Sequence, residues 1–247
     1  MKVNQFLDST YLKTPSQSGL TEQETILKIT QLVKDAIAYH FKLVMIRANY
    51  ISLARAIISE ENSNVLIGTV VGFHEGNSSI EEKLKEATSA IYLGVDELDY
   101  VINYIAFKKG NIELVSKEII ACTRLALDYN KIVKWIIEIA ALTDNEIASI
   151  SSLIKKVVID NFGLEQAQNV FVKSSTGFYK TENNEPNGAT FKAIKIMAEN
   201  GKPLKIKAAG GVKSKQDALK MITLGVDRIG TSSAKQIVGE LNVNLEY

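Results

Sequence analysis

A single (β/α)8 barrel, the TIM type of α/β fold, is what this sequence predicts, and three observations predict it. Short β-rich runs alternate with longer stretches of helical periodicity along the whole chain. There are eight such runs. The 247 residues match the usual size of one such barrel, about 250 residues. Residues 1–247 therefore read as one domain around one core. A doubly wound open sheet is the competing architecture, but no G-x-G-x-x-G follows the first strand, which counts against its dinucleotide-binding version.

The first run is QFLDST near the N-terminus. The others are KLVMIRA (42–48), NVLIGTVVGF (64–73), ELDYVIN (97–103), IVKWIIEIA (132–140), NVFVKSS (169–175), LKIKAAG (204–210) and DRIGTSS (227–233). Most are rich in Val, Ile and Leu, as strands buried on both faces are. Between them, helix starts carry Ser or Thr with an acid three or four residues on: TEQE from Thr21, SSIEE from Ser78, TDNE from Thr143 and SKQD from Ser214. The hydroxyl accepts a free backbone N–H of the first turn and the acid returns the bond. Helix stops are marked by Gly94 in GVDELD, Gly225 in GVDRIG, and Gly201 with Pro203 in ENGKP.

Composition narrows the function. A hydrophobic fraction of 46% supports one substantial core. Lys and Arg (29) nearly balance Asp and Glu (28), so no global field recruits nucleic acid or an anionic membrane. No window reaches the ~20 apolar residues of a membrane span, and MKVNQFLDST lacks a charged leader before an apolar run. The expectation is a cytoplasmic protein. The single cysteine, Cys122, lies in an apolar helical run. It excludes an intramolecular disulfide and reads as a buried structural thiol, since no histidine stands near it in sequence to lower its pKa. The two histidines lack metal-ligand spacing, so no metal is expected.

In such barrels the chemistry sits where strands end and βα loops begin. FVKSSTGF (171–178) puts Lys173 in a run that otherwise reads as buried, and a closed barrel offers no free edge to solvate it. Alternation places Phe171, Lys173 and Ser175 on one face, Lys205, Lys207 and Ala209 on one face of the next strand, and Asp99 with Val101 and Asn103 on another. A lysine is a nucleophile only when neutral. Its usual pKa of about 10.4 leaves roughly one amine in a thousand free near pH 7.4, and a drop of ~3 units costs about 4 kcal/mol. Two ammonium groups ~4 Å apart at an effective dielectric of ~20 repel by about that much. Lys207 beside Lys173 is thus expected to supply most of the shift, with burial adding to it. A neutral lysine forms an imine with a carbonyl, and the cationic nitrogen then accepts electrons from an adjacent carbon–carbon bond. Asp99 is the best-placed carboxylate for a proton shuttle, and a structural carboxylate paired with a lysine is its alternative reading.

Glycines and hydroxyls point to the ligand. AAGGV (208–212) and GTSSA (230–234) close the seventh and eighth runs, where barrels of this type bind phosphate through loop amides and hydroxyls.

At this point the residues resemble a known family. LDSTYLK, TVVGF, GVDELDYVIN, KWIIEIAALTD, FVKSSTGF and IKAAGGVKSKQDALKMITLGVDRIGTSS are similar, in order and over nearly the whole chain, to deoxyribose-phosphate aldolases. The resemblance implies a cofactor-free class I aldolase that reversibly cleaves 2-deoxy-D-ribose 5-phosphate to D-glyceraldehyde 3-phosphate and acetaldehyde. It implies that Lys173 forms the imine, that Lys207 perturbs it, and that Asp99 relays protons through an ordered water. It further implies that Asp8, Thr176 and Gly177 line the pocket, that Gly210, Gly211, Ser232 and Ser233 hold phosphate, and that the chain forms a homodimer or tetramer.

The sequence departs from that family at the rim. Where the family usually reads V-C-V-N-P, this chain has VMIRA, with Met45 for Cys and Arg47-Ala48 for Asn-Pro; where it reads V-V-G-F-P-L-G, this chain has VVGFHEG, with His74 and Glu75. The loop YKTENNEPNGAT is longer and more polar than the family's glycine-rich one. Met45 is expected to fill an apolar slot and His74 to be a loop residue. Arg47 and Glu75, of opposite sign on neighbouring strands, are expected either to pair over the mouth of the site or to leave Arg47 free for a second anionic group. The altered rim keeps two other readings open: a lysine-imine aldolase for a different phosphorylated sugar, and a catalytically silent phosphometabolite-binding barrel.

Overall fold

The eight runs close on themselves. Strands β1 (Leu7–Thr10), β2 (Leu43–Ile46), β3 (Leu66–Val71), β4 (Glu97–Val101), β5 (Ile132–Ile136), β6 (Val170–Lys173), β7 (Lys205–Ala209) and β8 (Arg228–Thr231) pair in chain order, all parallel, and β8 returns to β1. The open-sheet alternative is thereby excluded. The helices are α1 (Pro15–Ser18), α2 (Glu22–Ala38), α3 (Ile51–Glu60), α4 (Ile80–Tyr92), α5 (Tyr104–Lys108), α6 (Ile112–Asp128), α7 (Asp144–Ala167), α8 (Phe191–Gly201), α9 (Lys215–Thr223) and α10 (Ala234–Asn242). This structure, a computed structural model, describes residues 2–182 and 185–242; the tail ending in Tyr247 lies outside the described residues.

The strands are shorter than the β-rich runs because polar residues at the run ends leave the ladder to cap the next element. Arg47 precedes a 3-10 turn at Ala48–Tyr50, and Asn103 accepts the Ala106 N–H at the start of α5. Thr21 and Thr143 form reciprocal caps with Glu24 and Glu146, and Ser214 accepts from the Asp217 N–H. The cap of α4 is Ser79, one residue later than expected, with Glu82 returning the bond. Gly94 (φ 92°) and Gly225 (φ 91°) end α4 and α9 in the left-handed region. The third stop also falls where read, with Gly201 the last residue of α8 and Pro203 two beyond, but Gly201 is not left-handed; an added Cβ there would lie 3.3 Å from Ile206 Cδ1 and 3.4 Å from Val172 Cγ2. Close packing on the barrel, not a left-handed cap, favours a glycine there.

The main apolar core lies between the barrel wall and the helices. Tyr100 and Trp135 are fully buried and stack at 5.2 Å, and Trp135 Nε1 donates to Thr123 at 3.1 Å. Cys122 is buried in α6, and burial pushes its thiol up to about 12, which makes it a structural residue as expected. Among the described residues no helix is long and apolar enough to cross a membrane. The barrel interior is different in kind, because its lower layers are charged.

Candidate active site

Inward-facing positions of β1 and β4 to β8 carry Asp8, Glu97, Asp99, Lys134, Lys173, Lys207 and Arg228, none more than 6% exposed. They form one chain of alternating charge. Lys134 Nζ lies 2.5 Å from Glu97 Oε2 and donates to Asp99 Oδ1 at 2.6 Å. Lys173 and Lys207 both donate to Asp99 Oδ2, at 2.8 and 2.9 Å. Lys207 Nζ also makes a close ion contact with Asp8 Oδ2 at 2.6 Å, while Arg228 Nε donates to Asp8 Oδ1 at 2.7 Å and Nη1 reaches Glu97 Oε1 at 3.2 Å. Room for Lys207 comes from Gly230, where a Cβ would sit 3.2 Å from the lysine Cε.

Three carboxylates here face four cationic side chains, so one surplus positive charge stands in a water-poor interior, where charge is expensive. The surplus falls on Lys173. Its amine is lowered to about 8, first by burial, with Lys207 adding to the drop and Asp99 opposing it. This corrects the sequence-based order of causes: burial leads and the neighbouring lysine follows. Burial pushes the Asp99 carboxyl up, but Lys134, Lys173 and Lys207 outweigh it and hold Asp99 well below the usual carboxylate range. Asp8 is likewise held low, by Arg228 and Lys207 against burial. Lys134 stays above the usual lysine range, because Asp99 and Glu97 more than offset its burial.

Above Lys173, at the C-terminal end of the strands, opens a cavity of about 610 Å³. Lys173, Thr176, Gly177, Gly210 and Ser232 line it. Asp99 and Lys207 lie beneath Lys173 and do not. Asp8, expected in the lining, is fully buried under Lys207 and Arg228, because its strand position falls a layer below the mouth. Gly211 and Ser233 also stand outside the lining, and the Ser233 N–H is already bonded to Thr231 Oγ1 at 3.0 Å. Thr176 lines the wall, but its hydroxyl donates to Glu138 and accepts the Phe178 N–H at 3.0 Å. Gly210 adopts φ 75°, and Gly188 packs so closely that a Cβ there would lie 2.5 Å from the Gly210 carbonyl carbon. That contact draws the β6–α8 loop over the end of β7.

Known proteins of similar sequence and fold carry a common theme in their names. The chain is 36% identical over 241 residues to deoxyribose-phosphate aldolase of Caldicellulosiruptor saccharolyticus, covering 97% of this chain and 98% of the relative. It is 35% identical to deoxyribose-phosphate aldolase 1 of Staphylococcus aureus over the full length of both. This chain belongs to the deoxyribose-phosphate aldolase family. No family model matches it. Among solved structures, the tetrameric deoxyribose phosphate aldolase of Aeropyrum pernix superposes with TM-score 0.77 at 27% identity, covering 98% of this chain and 92% of that one.

The residues read in the sequence as departures from the family pattern make local contacts. Met45 fills an apolar slot with Leu12, Leu43 and Val70, as expected. Arg47 does not pair with Glu75. Its Nε donates to the Leu12 carbonyl at 2.9 Å and its guanidinium lies 4.6 Å from the Phe73 ring centroid, whereas Glu75 accepts, among the described residues, a long bond from Asn77 at 3.4 Å. His74 is a loop residue stacked on Phe178 at 5.7 Å, and Phe73 meets Phe178 edge-on at 5.0 Å. The carbonyl and the aromatic face nearest Arg47 outcompete a carboxylate on a solvated loop.

Sequence reasoning missed Glu97, Lys134, Arg228 and Glu138. The first three carried the signal that singled out Lys173: a charge inside a β-rich run, on the face that alternation assigns to the interior. Glu138 carried the same mark, in step with Lys134 within the run 132–140, but the strand ends at Ile136 and Glu138 stands just past it. It adopts φ 57°, is fully buried, and accepts both the hydroxyl and the amide of Thr176; burial raises its carboxyl, with Thr176 opposing. Among the described residues no group of three or more His, Cys, Asp or Glu side chains is arranged to hold a metal ion.

Proposed function

We propose that this chain is a class I aldolase that reversibly cleaves 2-deoxy-D-ribose 5-phosphate to D-glyceraldehyde 3-phosphate and acetaldehyde through an imine on Lys173. The observation that carries the reading is the Lys173 amine, lowered to about 8 at the floor of the cavity. The neutral amine adds to the C1 aldehyde, and loss of water leaves a protonated imine. Removal of the C3 hydroxyl proton then lets the C2–C3 bond pair flow to the imine nitrogen, releasing glyceraldehyde 3-phosphate and an enamine. Protonation at C2 and hydrolysis release acetaldehyde and regenerate Lys173.

Asp99 and Lys207 move protons beneath the imine nitrogen in this reading, supported by their shared contact with Lys173. Gly210 and Ser232, with Gly211 and Ser233 behind them, receive the phosphate, and Thr176 and Gly177 shape the wall. The cytoplasm as its place and a homo-oligomer of two or four chains belong to the same proposal. The test is borohydride reduction with acetaldehyde or deoxyribose 5-phosphate, followed by peptide mass mapping. The adduct is expected on Lys173, with Lys173→Ala losing both adduct and at least about a thousandfold in turnover. An adduct on Lys207 reverses the two roles, and none on either lysine overturns the reading.

A further inference from the structure

Among the described residues, the lining of the cavity over Lys173 contains three lysines, Lys13, Lys28 and Lys173, and no carboxylate. A sugar phosphate brings a dianion into that space. The glycines and serines after β7 and β8 are neutral; their amides and hydroxyls orient a phosphate, but its charge is met by cations. Lys173 cannot be that cation, because its amine is spent on the carbonyl.

Barrel closure supplies the missing charge. β1 pairs with β8, with Ser9 opposite Thr231, so the chain leaving β1 emerges beside the Ser232 turn. Tyr11 is tied there through its N–H to the Met45 carbonyl at 3.0 Å, and Lys13 follows two residues later. Lys28 projects from α2, and its ammonium lies 4.9 Å from the centroid of the Tyr11 ring, which itself lines the cavity. Neither Lys13 nor Lys28 has a carboxylate partner among the described residues.

We propose that Lys13 and Lys28 are the cationic half of the phosphate site and set the preference for phosphorylated over neutral sugar. The proposal rests on the aldolase reading above. It adds residues some 200 positions away in sequence from the glycine and serine loops, brought beside them by the β1–β8 pairing. The two ammonium groups draw the dianion toward the Ser232 side of the mouth, leaving the aldehyde end over Lys173.

The test compares Lys13→Gln, Lys28→Gln, the double variant and the charge-preserving Lys28→Arg in the full chain. Steady-state kinetics are run with 2-deoxyribose 5-phosphate and with 2-deoxyribose, with inorganic phosphate as a competitive inhibitor. Each Gln substitution is expected to raise KM for the phosphorylated sugar about fivefold and the double about twentyfold. The inhibition constant of phosphate should rise in parallel, kcat should move far less, and Lys28→Arg should restore most of the preference. Added salt should erode the preference of the parent more than that of the double variant. A double variant that keeps the parent's preference, or loses both sugars equally, overturns the proposal. Acetaldehyde trapping on the parent carries no phosphate and separates the two readings: an adduct on Lys173 with preference unmoved in the variants defeats only this inference, whereas no adduct defeats the aldolase reading itself.

Discussion

Lys173 and Lys207 are opposite each other in the β6–β7 register, and their amines share one oxygen of Asp99 at 2.8 and 2.9 Å. Two cations on one carboxylate oxygen, in an interior with one positive charge too many, set the conditions under which one of them gives up its proton. The consequences are measurable.

Activity should follow the neutral amine. With Lys173 at about 8, kcat/KM is expected to climb with pH through that value and level off above it. Lys207→Met removes a positive neighbour, so the midpoint moves up, but it stays below the free-lysine value of about 10.4 because burial remains. A pH–rate profile of an active, folded variant checks this; a midpoint that stays put or falls would sink the pairing.

The same amine costs stability. Its folded pKa, about 8, lies below the unfolded value of about 10.4, so the unfolded chain holds the proton more tightly. The penalty is fully present below pH 8 and fades as pH rises toward the unfolded value. Lys173→Met is therefore expected to be inactive yet more stable than the parent at pH 7, by on the order of 1 to 3 kcal/mol, with the gap closing above pH 8. Urea unfolding at several pH values measures it, and a variant less stable at pH 7 contradicts the charge-surplus account.

Phosphate recognition is expected to divide the two serines. Ser232 lines the cavity and Ser233 does not. Ser232→Asp should raise KM for deoxyribose 5-phosphate about tenfold or more relative to unphosphorylated deoxyribose, and Ser233→Asp should do so less. Equal losses on both sugars would mean that these serines only shape the turn.

Arg47 belongs to an aromatic contact rather than an ion pair. A double-mutant cycle on Arg47→Asn and Phe73→Leu should give a coupling of about 0.5 to 1 kcal/mol. The cycle of Arg47→Asn with Glu75→Leu should be additive within about 0.5 kcal/mol. Thermal unfolding of the six proteins decides, and strong coupling to Glu75 with none to Phe73 reverses the assignment.

Much of this molecule was written in local pattern. Alternation and β-branched runs located every strand, and the Thr21, Thr143 and Ser214 caps lay where the side chain and the acid three residues on predicted, since such signals act over one helical turn. Period-2 counting also told which residues share a face with Asp99, Lys173 and Lys207. What local pattern did not decide was partnership. Asp8 meets Arg228 only because β8 closes on β1, and Arg47 turned to the Leu12 carbonyl and Phe73 because a long side chain takes the acceptor that the fold brings within reach. The order of causes on Lys173 was decided there too. A neighbouring charge can be anticipated from strand spacing, but desolvation depends on how completely the assembled barrel removes water from one amine, and no stretch of sequence contains that quantity.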